Sequence, residues 1–198
     1  MRTLLLSLLL LCSAANAAET IVMLRHAEKP DGGLGQLNCQ GLNRALALPN
    51  VLLSRFGKPA AIFAPNPGIE KIDQGQSYNY IRPLATIEPT AIRVGLPVNT
   101  QWGFEDVESL KNSLLSDALQ NQTVFVAWEH RLLEQLARDM LEQLGADPAT
   151  VPVWDGKDFD SIYVVNIERD GNGNLSAAFH TEHQGLNGLA TACPGQTN

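Results

Sequence analysis

Short, unbroken apolar runs rich in β-branched residues alternate along this chain with longer stretches whose apolar positions recur every three or four residues. Thr20–Leu24 (TIVML), Ala60–Ala64 (AAIFA) and Thr123–Trp128 (TVFVAW) are the continuous runs. Their length and composition predict strands covered on both faces. The helical periodicities fall between them. Residues 38–55 carry Leu42, Ala45, Leu46, Leu48 and Leu52 on one face, disturbed by Pro49. Residues 82–93 begin at Pro83, which suits a first helical turn, and meet Pro89, which marks a kink or an end. Phe104, Val107, Leu110, Leu114, Ala118 and Leu119 predict one amphipathic helix. Residues 132–144 predict another, closed by Gly145 in a left-handed cap. Two further strands, 161–168 and 174–181, flank the turn signal Asp170-Gly171-Asn172-Gly173. Strands alternating with helices predict an α/β sandwich on a mainly parallel sheet, to which the closing hairpin adds an antiparallel edge.

The first seventeen residues depart from this pattern. Arg2, the apolar run Leu4–Leu11 broken only by Ser7, and the small-x-small triplet Ala15-Asn16-Ala17 read as a secretory signal peptide cleaved after Ala17. Cys12 does not make a lipoprotein site, because Leu11 stands where that processing needs a small residue. The expected organisation is therefore a signal over 1–17 and one domain over 18–198, periplasmic or secreted and with no membrane anchor. The mature chain keeps two cysteines, Cys39 and Cys193. In an oxidising compartment they can pair in only one way, so a disulfide is expected. Fourteen Lys and Arg against 21 Asp and Glu give a formal charge of −7. A surface of that sign repels a phosphate backbone and excludes non-specific nucleic-acid binding. Any anionic ligand needs a local cluster of positive groups working against the global field.

Such a cluster lies at the strand ends, where open α/β sheets build their sites. Arg25-His26-Ala27-Glu28 follows the first strand and Glu129-His130-Arg131 follows the third. The guanidinium of Arg25 offers a planar donor fork suited to a phosphate or carboxylate. Leu24-Arg25-His26-Ala27-Glu28 resembles the Arg-His-Gly signature of the histidine phosphatase superfamily, and three further segments match in the family's order. Leu37-Asn38-Cys39-Gln40-Gly41-Leu42-Asn43-Arg44-Ala45 is similar to the opening of its first helix. Arg82-Pro83-Leu84-Ala85-Thr86-Ile87-Glu88-Pro89-Thr90-Ala91 is similar to its second arginine helix. Val124-Phe125-Val126-Ala127-Trp128-Glu129-His130 resembles the strand delivering the second histidine.

The resemblance implies a three-layer, phosphoglycerate-mutase-like α/β/α sandwich and an exported phosphomonoesterase. His26 would be the nucleophile, forming a phosphohistidine, with its other ring nitrogen donating to a backbone carbonyl. Arg25, Arg82 and His130 would hold the phosphoryl oxygens, and neither metal nor cofactor would be required. The substrate would be a small-molecule, saccharide or lipid phosphomonoester. A non-catalytic phosphate-binding protein and a phosphoryl-transfer mutase are the alternatives on the same site.

The proton donor for the leaving group is the open position. Glu129 is the first candidate, provided that the strand ends or bends there, since adjacent strand residues point to opposite faces. Glu105, beyond Trp102-Gly103, is the second and Glu28 the third. Ala27, standing where the family has glycine, requires a negative φ. Residues 65–80 replace the family's compact link with a long polar segment able to cap the pocket, and Tyr78 and Tyr80 within it are candidate substrate contacts. Trp102, Trp128 and Trp154 read as packing residues. Asp155–Asp160 resembles a calcium loop but places Asn166 at its twelfth position, so a solvated turn is expected.

Overall fold

The computed structural model describes residues 18–195. The expected signal peptide lies outside the described residues. Eight strands and four α-helices follow in the order β1 (Ala18–Arg25), α1 (Cys39–Phe56), β2 (Ala61–Phe63), β3 (Glu70–Asp73), β4 (Gln76–Asn79), α2 (Arg82–Val94), β5 (Val98–Asn99), α3 (Val107–Leu114), β6 (Thr123–Trp128), α4 (His130–Gln143), β7 (Ser161–Arg169) and β8 (Leu175–His183). Six strands form one sheet in the order β5-β2-β6-β1-β7-β8. The first four are mutually parallel, β7 runs antiparallel to β1, and β8 antiparallel to β7.

Each central strand divides its side chains between two cores, which is why its sequence is apolar throughout. Ile21 and Met23 of β1, Val124 and Val126 of β6, and Tyr163 and Val165 of β7 face Leu110 and Leu114 of α3 and Leu133, Leu136 and Met140 of α4. The alternate residues Val22, Leu24, Phe125, Ala127, Ile162 and Val164 face Leu48 and Leu52 of α1 and Ile87 and Ala91 of α2. The result is a three-layer α/β/α sandwich. The Asn38 side chain caps α1 by accepting from the Gly41 N–H at 2.8 Å. A side chain at Gly41 would meet the Glu28 carbonyl oxygen at 2.2 Å, so the helix reaches the loop after β1 only through this glycine.

One expectation is corrected and two are made more specific. The amphipathic stretch 104–119 shortens to α3. Phe104 instead packs on Tyr80, its carbonyl accepts the Trp128 indole N–H at 2.7 Å, and Asp117–Leu119 form a separate 3-10 turn. Pro89 neither ends nor replaces a turn, and α2 continues through it to Val94. The polar segment 65–80 contains the β3–β4 hairpin, turning through Gln74 and Gly75, both with positive φ. A polar alternation around a Gln-Gly pair is the signal that marks it.

Cys39 and Cys193 are joined by a disulfide that ties the C-terminal segment to the start of α1. A second tie lies beside it. Arg44, only 1% exposed, grips both oxygens of Glu28 and donates to Asp160 at 3.4 Å and to Gln184 at 2.9 Å. Asp160 in turn accepts from the backbone N–H groups of Gly185 and Leu186. Removing the buried guanidinium of this group strands the carboxylates of Glu28 and Asp160. Arg44→Ala is therefore expected to lower unfolding stability by about 3–5 kcal/mol, measured by urea denaturation. A loss below about 1 kcal/mol would mean that water replaces the guanidinium freely.

Candidate active site

β1 and β6 are adjacent and parallel, with Arg25 opposite Trp128, and the His26 N–H donates to the Trp128 carbonyl at 2.9 Å. Both histidine segments therefore emerge side by side at the carboxyl edge of the sheet. His26 is 3% exposed. Its Nδ1 lies 2.8 Å from the carbonyl of Ala27, to which it donates, leaving Nε2 as the lone-pair-bearing acceptor nitrogen. Ala27 has a negative φ, as a non-glycine residue requires here, and its N–H donates to Thr86 Oγ1 at 2.9 Å. Burial, then the charge of Arg82, hold the His26 pKa well below the usual histidine value. The ring is a neutral imidazole at neutral pH.

Arg82 opens α2 and donates from Nε to His26 Nε2 at 3.3 Å. Its other two nitrogens grip Asp73 of the hairpin at 2.6 and 3.1 Å. The Tyr80 ring lies edge-on to His26 and 4.6 Å beneath the Arg82 guanidinium. Its hydroxyl is buried and has no partner among the described residues. Tyr80 is thus part of the site. Tyr78 is not, and its hydroxyl turns to Gln76.

Arg25 is engaged differently from the expectation of a free phosphate fork. Its Nη1 donates to the carbonyls of Gly156 and Asp158 at 2.8 and 3.0 Å, and its guanidinium lies 3.8 Å above the Phe159 ring. The Nε is buried and has no partner among the described residues. The Asp155–Asp160 segment is the turn that holds this arginine. Two of its carboxylates serve the turn itself: Asp155 accepts from the Lys157 N–H, and Asp158 from those of Asp160 and Ser161.

β6 stops at Trp128, and Glu129 takes the extended conformation of a helix N-cap, so Glu129 and His130 both reach the rim. One Glu129 oxygen accepts from the N–H groups of Arg131 and Leu132, and the other lies 2.8 Å from His130 Nδ1. Although burial opposes ionisation, these contacts hold the Glu129 carboxyl at about 2. The carboxylate expected to donate the proton is thus engaged, before any ligand binds, as the cap of α4 and the neighbour of His130. Of the other candidates, Glu28 is clamped by Arg44, and Glu105 is exposed in a separate cavity with Ile69, Gly103, Phe104 and Asp106. His130 Nε2 points toward Gly156, where a side-chain carbon would lie 3.8 Å away. A cavity of about 770 Å³ opens from His130 between the polar face of α4 and residues 153–156, lined by Arg131, Gln135 and Asp139 among others.

The three tryptophans pack as expected. Trp102 stacks on Phe63 and Trp154 on Tyr163, while Trp128 is fully buried. Sequence reading missed Asp73 and the glycines that admit it. Lys29 lies 3.7 Å from Asp73, and the Gly35 N–H donates to the same carboxylate at 3.2 Å. The cluster Gly32-Gly33-Leu34-Gly35 was the available signal, since such density marks a loop that other backbone must approach closely.

No family model and no curated protein matches the sequence. Solved structures do resemble the fold. The native mycobacterial glucosyl-3-phosphoglycerate phosphatase aligns at a TM-score of 0.55 and 15% identity, covering 82% of this chain and 97% of that one. A chain assigned as phosphohistidine phosphatase SixA from Nakamurella multipartitia aligns at 0.53 and 16% identity, covering 84% and 96%. A structure described as mycobacterial hydrolase 2 aligns at 0.53 and 14%, covering 82% and 89%. The chain thus has the phosphoglycerate-mutase-like fold of these solved structures, with two histidines and an arginine gathered at the edge of its sheet.

Proposed function

We propose that this protein is an exported phosphomonoester hydrolase acting through a phosphohistidine on His26. The observation that carries the reading is the state of His26: neutral, with Nδ1 bonded to a backbone carbonyl and Nε2 facing a buried arginine. That is the arrangement of an activated nitrogen nucleophile with its charge stabiliser already in place. The Nε2 lone pair attacks phosphorus as the bond to the leaving oxygen breaks. The Arg82 Nε–H passes from His26 to a phosphoryl oxygen. Arg25 Nε and the Tyr80 hydroxyl, both buried and without a partner among the described residues, supply further donors.

The leaving oxygen takes its proton from His130 Nε2, whose ring has the Glu129 carboxylate behind Nδ1. Water activated by the same ring then attacks the phosphohistidine. The P–N bond breaks, its electron pair returns to His26 Nε2, and phosphate leaves. The leaving group lies in the cavity along α4, whose mixture of Arg131, Gln135 and Asp139 suits a polar, hydroxyl-bearing moiety. The neighbouring folds include proteins described as phosphatases, which supports the same class. Export, with removal of residues 1–17 to leave a single domain over 18–198, draws support from the Cys39–Cys193 bond, since disulfides persist in oxidising compartments.

Inorganic phosphate tests the site directly. It should inhibit competitively and raise the melting temperature by mass action, by an amount growing with the logarithm of its concentration. Arg82→Ala should remove most of that rise. If the rise survives in full, phosphate binds elsewhere and Arg82 is a packing residue.

A further inference from the structure

We infer that Asp73, carried on the β3–β4 hairpin, is a positioning residue that aims the Arg82 guanidinium at the nucleophile. The inference rests on the phosphatase reading for its kinetic consequences, while the geometry behind it is independent of that reading.

An arginine has two donor edges, and their division here is specific. The end-on edge, Nη1 and Nη2, is occupied by both oxygens of Asp73. The side edge is thereby turned toward His26, with Nε 3.3 Å from Nε2. Arg82 is 1% exposed and lies over Tyr80, so the bidentate carboxylate decides the rotation of the fork about the side-chain axis. Asp73 is itself held on three sides. The Gly35 N–H and Lys29 approach its carboxylate, and a side chain at Gly33 would meet it at 2.5 Å.

The glycine loop is anchored in turn, because the Gly35 carbonyl accepts from the N–H groups of both Ile81 and Arg82. Gln74, at the tip of the hairpin, donates to the Asp31 carbonyl. Two loops that look like linkers in the sequence thus converge to place one carboxylate behind one arginine. Full ion pairing also keeps the Asp73 carboxyl at about 2, although its burial works the other way. The counter-ion is permanent across the working pH range.

The position of Arg82 can be read from His26. Arg82, Arg25, Glu129, the Ala27 carbonyl and the rings of Tyr80 and Phe159 surround that imidazole, and Arg82 is the charge that most depresses its titration. In Asp73→Asn the fork loses its bidentate partner and swings away. The His26 titration midpoint, followed by NMR on the purified protein, is then expected to rise. Inorganic phosphate should bind roughly ten-fold more weakly, and kcat/KM should fall by roughly 10²-fold, with kcat carrying most of the loss. Asp73→Glu, which keeps the charge and displaces the fork, should change all three in the same direction and by less.

A purely structural role predicts a lower melting temperature with the His26 midpoint and the kcat–KM division unchanged, which would overturn the inference. So would a midpoint that falls, since Arg82 would then have stayed in place with its charge uncompensated. Failure of both variants to fold would make Asp73 a folding residue and overturn it equally. Should the wild-type protein bind no phosphate and turn nothing over, while the midpoint still rises in Asp73→Asn, the phosphatase reading fails and the positioning role stands.

Discussion

His26→Ala is expected to abolish turnover, by roughly 10⁴-fold or more, because in the proposed mechanism it removes the atom that would form the covalent intermediate. No other described side chain can substitute. His130 faces the α4 cavity, and all three Arg82 nitrogens act as donors, to His26 and Asp73. The fold should survive. The imidazole stands past the last strand residue and makes its donor bond to a neighbouring carbonyl, and the one distant contact it loses, from the Arg82 Nε–H, leaves that guanidinium still gripped by Asp73. Base-quenched, acid-labile labelling from a ³²P-phosphomonoester should appear in the wild type and vanish in the variant. Retention of more than a small fraction of the activity, with wild-type circular dichroism, would remove His26 from the chemistry.

The second large effect concerns the proton. A missing acid hurts poor leaving groups far more than good ones, because only the former need protonation. His130→Gln is therefore expected to cut activity on an alkyl phosphate by roughly 10²-fold or more, and on an aryl phosphate with an acidic phenol much less. Equal losses on both would leave His130 as a phosphoryl ligand alone. A selective loss in Glu105→Gln instead would transfer the role to that loop.

Glu129 acts through its charge, and the sign can be worked out. Its carboxyl lies at about 2 in the folded chain against an ordinary value of 4.5. The stability it contributes is thus fully present above about pH 4.5 and disappears as the pH falls through about 2. The gap in melting temperature between wild type and Glu129→Ala should close over that window. A gap that persisted unchanged to pH 2 would mean that Glu129 acts by packing.

The α/β class, both histidine positions and the cysteine pair were legible because each depends on local pattern. A strand covered on both faces must be apolar at every position, as Thr20–Leu24 and Thr123–Trp128 are, and residues immediately beyond such strands fall on the sheet edge by topology alone. Asn38 before α1 and Gly145 after α4 likewise marked helix ends by chemistry confined to a few residues. Helix length was less legible. The apolar spacing from Phe104 to Leu119 fits one helix, but Phe104 is drawn to Tyr80 by a contact remote in sequence.

The roles of individual side chains were decided by tertiary structure. Sequence places Glu129 beside His130, and only the helix that begins at His130 turns that carboxylate into a cap and lowers its pKa. Sequence places Arg25 beside His26, and only the return of residues 156–159 occupies one of its nitrogens. Asp73 lies 47 residues from His26 in a segment with no apolar pattern, and becomes part of the site because a glycine loop and a polar hairpin fold against the start of α2. Local sequence sets which backbone a residue can adopt. The charge state and aim of an ionisable group depend on neighbours that the chain brings together only on folding.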